Sequence, residues 1–91
     1  MRYTQLLRKV NEAQKAPRPY DYGNFDESWD RVFRNARRIL ENPSSSIDDK
    51  TRVVDIMGNL IVDLSKHRPY GEVLKYLRIF QQSVQEYYTV N

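Results

Sequence analysis

Hydrophobic residues recur along most of the chain at steps of three and four, with polar residues between them. This spacing places them on one face of an α-helix. The members of the first set are Tyr3, Leu6, Leu7, Val10 and Ala13. They predict a helix over residues 3–15. Pro17 and Pro19 cannot continue that helix, so residues 16–23 are predicted to form a linker.

The second set has the clearest pattern. Its members are Phe25, Trp29, Val32, Phe33, Ala36, Ile39 and Leu40. Plotted at about 100° per residue, they fall within an arc of about 120°. Asn24 and Glu27 have the spacing of a capping box, so we predict a helix over residues 25–41. Trp29 and Phe33 carry the largest rings of this face, and we expect them to anchor the core.

The third set follows a run of three serines. Its members on one face are Ile47, Val53, Val54, Met57, Leu60, Ile61 and Leu64. Ile56 and Val62 lie well off that face. Ser46 and Asp49 have the spacing of a helix cap, and the apolar pattern predicts a helix over residues 47–67. A buried strand is the alternative for so many β-branched residues, but about twenty residues exceed the usual length of a strand.

The fourth set begins directly after Pro69, which is tolerated in the first turn of a helix. Its members are Tyr70, Val73, Leu74, Leu77, Phe80, Val84, Tyr87 and Tyr88. They predict a helix over residues 70–88. Its connection to the third helix is very short, so the two helices should form an antiparallel hairpin. The sequence thus predicts an all-α fold, a small four-helix bundle in a single domain over residues 1–91.

Composition adds limits on location and stability. The 91 residues include no cysteine, which excludes disulfides and thiolate zinc sites and is typical of cytoplasmic or nuclear proteins. No apolar run approaches the ~18 residues that cross a bilayer, and residues 1–10 carry three charges where a signal peptide has an apolar core. We therefore expect an intracellular protein without membrane contact. A domain this small buries only about 60–65% of its unfolded surface, so a partner would add stability.

Charge raises one candidate function. Fifteen lysines and arginines against twelve acidic residues give a net charge of +3. Four arginines on the polar face of the second helix form what we call the arginine series, namely Arg31, Arg34, Arg37 and Arg38. Such a series is able to bind the phosphates of a nucleic acid. With basic residues of the first helix beside it, the series makes a nucleic-acid-binding bundle the alternative function.

Acidic residues weaken that alternative. Three members of the series have a carboxylate four positions away on the helix, contributed by Glu27, Asp30 and Glu41. These carboxylates offset the positive field that a nucleic acid requires. Only Arg38 lacks such a partner, and it is able to join Arg37 in a local contact with an anion.

Aromatic and apolar residues that the core does not require indicate a protein-binding surface. Tyr20 and Tyr22 lie in the linker beside a glycine, as in many recognition loops. On the fourth helix, Ile79 lies about 140° from the centre of the apolar face, close to Tyr76. We expect these four residues to contact a partner. The leading hypothesis is a non-enzymatic protein-protein interaction module, a small adaptor or regulatory subunit, that docks on a partner protein or on itself.

The sequence contains no arrangement typical of catalysis, metal binding or a cofactor. Its only histidine, His67, lies between two basic residues at the predicted end of the third helix. Asp48 and Asp49 are adjacent, so their side chains point about 100° apart on a helix and form no metal cage. We therefore expect no enzymatic activity, no cofactor and no small-molecule substrate. Gly58, in mid-helix, is interpreted as a point of close approach by a neighbouring helix or ring.

Overall fold

Four helices make up the fold. The computed structural model describes residues 1–15 and 27–88, and within these ranges it contains no strand. The helices are α1 (Tyr3–Lys15), α2 (Glu27–Glu41), α3 (Ile47–Ser65) and α4 (Tyr70–Tyr87). The predicted all-α four-helix bundle is confirmed. Most of the predicted linker, with Tyr20 and Tyr22, and the predicted cap at Asn24 lie outside the described residues.

Helix α3 is the centre of the bundle, because each of the other three helices packs against it. The predicted hairpin is present: Lys50 Nζ, near the start of α3, donates to the carbonyl of Tyr87 at the end of α4 at 3.2 Å. The ends of α1 and α3 lie side by side, since the Gln14 amide donates to the carbonyl of Ser65 at 2.9 Å. Helix α2 packs against both α3 and α4.

Every helix contributes to one continuous core. Its buried members are Leu6 and Val10 of α1; Phe33, Ala36 and Leu40 of α2; Val53, Val54, Met57, Ile61 and Leu64 of α3; and Val73, Leu77 and Phe80 of α4. Their spacing follows the three-and-four pattern of the sequence, because that pattern places them on the inward face of each helix.

The helix ends follow local chemistry. The hydroxyl of Ser46 accepts a hydrogen bond from the backbone N–H of Asp49 at 3.1 Å, which confirms the predicted cap of α3. The predicted end of α3 at residue 67 is wrong by two residues. Lys66 and His67 donate their backbone N–H groups three residues back, to Asp63 and Leu64, and so form a tighter turn before Pro69.

Three residues assigned to apolar faces are largely exposed. Val32 and Ile39 of α2 are 47% and 41% exposed, and Ile47 of α3 is 52% exposed. The face of α2 that enters the core is narrower than the predicted arc, and Val32 and Ile39 occupy its flank. Ile47 is the first residue of α3 and lies beyond the reach of neighbouring helices. The assignment of these three residues to the core was wrong.

The aromatic residues of α2 divide between core and edge. Phe33 is only 2% exposed, as expected for a core anchor. Trp29 is half-buried: its indole stacks on the ring of Phe33 with centroids 5.5 Å apart, and its Nε1 donates to the carbonyl of Leu60 at 3.3 Å. Trp29 therefore closes one edge of the core and joins α2 to α3.

Gly58 is a point of close approach, although the neighbour is neither a helix backbone nor a ring. A Cβ atom at this position would lie 2.6 Å from Sδ of Met1. The side chain of Met1 therefore packs directly over the glycine, in space that a larger residue would fill.

Replacing Trp29 by Ala should destabilise the domain. The change removes the stacking on Phe33 and the hydrogen bond to Leu60, and because the indole is half-buried we expect a loss of about 2–3 kcal/mol in the free energy of unfolding. Urea denaturation followed by circular dichroism measures this loss. Val32→Ala, on the exposed flank of the same helix, is the control and should cost less than about 0.5 kcal/mol. Equal effects of the two substitutions would contradict the placement of Trp29.

Replacing Ser46 by Ala should weaken the start of α3. The backbone N–H of Asp49 loses its partner, so we expect a cost of about 1 kcal/mol in the free energy of unfolding. Ser44→Ala, two residues earlier in the same turn, removes a hydroxyl that caps no helix and should be nearly neutral. Thermal unfolding of both variants tests the cap, and a Ser44 effect as large as the Ser46 effect would place the cap elsewhere.

Candidate functional site

A groove of about 590 Å³ runs between α2 and α4. We call it the α2–α4 groove. Its lining residues from α2 are Asp30, Phe33, Arg34, Arg37, Arg38 and Glu41, and those from α4 are Lys75, Tyr76 and Ile79. The groove therefore brings together three members of the arginine series and both of the helix-four residues that the sequence suggests for partner binding.

The floor of the groove is apolar and aromatic. Tyr76 meets the ring of Phe33 edge-on, with centroids 5.1 Å apart and planes at 83°. It meets Trp29 in the same way at 4.8 Å. Tyr76 and Ile79 are half-buried against the core, so they do not form the fully external patch that the sequence suggests. They present their outer surfaces to the groove instead.

Two ion pairs lie along the α2 wall. Arg34 Nε lies 2.9 Å from a carboxylate oxygen of Asp30, and Arg37 Nε lies 2.9 Å from one of Glu41. Both pairs have the predicted spacing of four residues. Exposed pairs of this kind contribute only about 0.3–0.5 kcal/mol each to stability. Their main effect is to offset the charges of Arg34 and Arg37 locally.

Arg38 and Lys75 are the unpaired cations of the groove. Neither forms an ion pair with any residue in the described ranges 1–15 and 27–88. Arg38 belongs to the α2 wall and Lys75 to the α4 wall. The groove thus carries a positive charge on each side of its apolar floor, with no internal counterion for either.

The remaining basic residues face other surfaces. Arg31 does not pair with Glu27 and lines the outer side of α2, away from α4. Helix α1 packs mainly against α3, and its Arg8 and Lys9 line a separate concavity between those two helices. The basic residues of α1 therefore do not extend the arginine series.

Burial changes the acidity of Tyr76. Desolvation raises the pKa of its phenol above the ordinary value of 10.0, and the nearby carboxylates of Asp30 and Glu72 raise it further, while Arg34 acts in the opposite direction. The phenol is therefore protonated at neutral pH. It forms no hydrogen bond within the described part of the chain, so its O–H remains available as a donor.

Lys75 is the groove residue that the sequence reasoning missed. It lies one position before Tyr76, and on an exposed helix face a lone lysine carries no distinguishing pattern. The available signal was its spacing of four residues from Ile79, which places both on neighbouring turns of one face. Tyr20 and Tyr22, the other predicted contact residues, lie outside the described residues.

No group of three or more His, Cys, Asp or Glu side chains converges among residues 1–15 and 27–88. Within the same part of the chain, each helix is too short or too polar to cross a membrane. No protein-family model, curated protein or solved structure matches the sequence or the fold. The chemistry of the α2–α4 groove is therefore the starting point for a function.

Tyr76→Phe should reduce the loss of stability at alkaline pH. Because the pKa of Tyr76 is raised in the folded state, the unfolded chain releases this proton more readily above about pH 10, and the free energy of unfolding falls as pH rises. The Phe variant has no such proton. Urea denaturation between about pH 8 and 11 should show a shallower decline for the variant. Tyr70→Phe, at an exposed position of α4, is the control, and identical slopes for the Tyr76 variant and the native protein would contradict the expectation.

Proposed function

We propose that this domain is a non-enzymatic protein-interaction module that docks a short segment of a partner protein in the α2–α4 groove. One observation carries the proposal. Two surfaces that the sequence suggests separately, the arginine series and the Tyr76–Ile79 pair, line the same groove. Its aromatic floor offers rigid contact area, and its rim offers charged groups that fix the orientation of a partner.

The floor has the features of a binding hot spot. Phe33 and Trp29 hold Tyr76 from below, so the phenol loses little conformational freedom when a partner covers it. Ile79 adds aliphatic surface beside it. Apolar side chains of a partner would displace water from this floor, which is the main favourable contribution to protein association.

Nucleic-acid binding has weaker support. A nucleic acid contacts several phosphates in succession and needs many unpaired cations on one surface. Arg34 and Arg37 are already paired with carboxylates, and Arg31 faces away from α4. An oligonucleotide titration separates the alternatives, because phosphate binding weakens steeply with added salt whereas docking on an apolar floor changes little.

Selection of peptides from a random displayed library tests the proposed function. We expect selected peptides to bind the native domain and to lose about fivefold or more in affinity with Ile79→Ala, which removes apolar surface from the floor. Ile56→Ala is the matched control: Ile56 is an exposed isoleucine of α3 that does not line the groove.

The selected peptides should bind the Ile56 variant as they bind the native domain. Circular dichroism of both variants verifies that each is folded. Peptides that are indifferent to Ile79→Ala, or that respond equally to both substitutions, would show that the groove is not the docking surface.

A further inference from the structure

We propose that the occupant of the α2–α4 groove is an acidic amphipathic segment, with apolar side chains on Tyr76 and Ile79 and carboxylates facing Arg38 and Lys75. This inference rests on the proposed docking function and specifies the partner's chemistry. It follows from charge complementarity between the two walls of the groove, the width of its floor and the one free donor at its centre.

The charges of the groove do not cancel. Its lining includes four basic residues and two acidic ones. The two carboxylates are both engaged by Arg34 and Arg37, so the excess of positive charge is located on Arg38 and Lys75. A partner that presents carboxylates there gains two favourable pairs, whereas a basic partner meets repulsion on both walls.

The positions of these cations define a pattern in the partner. Arg38 lies on α2 and Lys75 on α4, with the apolar floor between them. A matching segment therefore needs apolar side chains along one line and acidic side chains on both sides of it. An amphipathic helix presents this arrangement when its apolar residues recur at steps of three and four.

Groove length sets the size of the segment. From Asp30 to Glu41 the α2 wall extends about 16 Å, since a helix rises 1.5 Å per residue. That distance corresponds to about three turns of a docked helix. Three turns provide three or four apolar anchors, enough to cover Tyr76 and Ile79 together.

The phenol of Tyr76 adds a polar contact at the floor. Its O–H has no partner within the described part of the chain, and a carboxylate or carbonyl oxygen of the segment is a suitable acceptor. A hydrogen bond from a neutral O–H to a carboxylate is short and strong, and it favours an acidic partner over an amide-bearing one.

Three synthetic peptides of about fourteen residues test the inference. The first is a helix former with leucines at steps of three and four and glutamates on both flanks. The second replaces each glutamate by glutamine, and the third replaces each leucine by serine. All three lack tryptophan and tyrosine, so Trp29, the only tryptophan of the protein, reports binding through its fluorescence. Its contacts with Phe33 and Tyr76 place it against the floor of the groove.

The acidic amphipathic peptide should bind, and the glutamine peptide should bind at least about tenfold more weakly. Lys75→Glu and Arg38→Glu should each weaken the acidic peptide by about tenfold and leave the glutamine peptide unchanged. Arg31→Glu is the matched control, with the same charge change on α2 outside the groove. It should alter the affinity by less than about twofold. Neither Arg38 nor Lys75 is buried, so all three variants should remain folded.

Each contrary result overturns a different statement. Equal binding of the glutamate and glutamine peptides rejects the acidic partner while leaving the proposed docking function intact. Equal binding of the serine peptide, or an equal effect of Arg31→Glu, shows that the surface binds polyanions in general and rejects the amphipathic segment. If no peptide binds, the inference fails, and the library selection with Ile79→Ala decides the docking function separately.

Discussion

The fold depends on covering the apolar surface of α3. This helix is apolar over more than half of its circumference and buries more residues than any other helix. A single neighbour cannot remove so wide a surface from water, so three helices pack around it. Without cysteine, the chain has no covalent cross-link to reinforce this packing. Apolar contacts of α3 therefore hold together a domain in which each other helix buries only one narrow face.

The groove is a consequence of that arrangement. Helix α2 directs Phe33, Ala36 and Leu40 inward, and its contact with α4 is less extensive than its contact with α3. The two helices consequently diverge at the surface, and Tyr76 fills the base of the opening. Half-burial of Tyr76 and Ile79 is what makes them suitable for docking: the core fixes their conformations, while their outer surfaces stay accessible. A fully exposed pair would lose more entropy on binding.

Periodicity predicted the helices well because burial of one face imposes the spacing directly. The cap at Ser46 and the ion pairs of Arg34 and Arg37 were also predictable, since each involves residues three or four apart on one helix. Periodicity does not tell how much of an apolar arc a neighbour covers. Val32 and Ile39 have the same spacing as buried residues, and only the placement of the other helices leaves them exposed.

The candidate site shows the same limit. Tyr76 and Ile79 stood out in the sequence because they lie off the apolar face, and Arg38 because it has no acidic residue at the right spacing. Their meeting in one groove depends on the packing of α2 against α4, which joins residues about forty positions apart. Lys75 became a candidate only through that packing. Local spacing thus identifies individual residues, while the tertiary arrangement determines which of them act together.

The electrostatics of the groove assign different roles to its parts. Two of its arginines are neutralised by carboxylates on the same helix, so the rim does not generate the strong field of a nucleic-acid surface. Two exposed cations contribute more to the rate and orientation of docking than to its strength, because water screens them. Affinity must then come mainly from the aromatic and aliphatic floor. A partner is held by apolar contacts with Tyr76 and Ile79, and the charges of Arg38 and Lys75 determine which amphipathic segments are accepted.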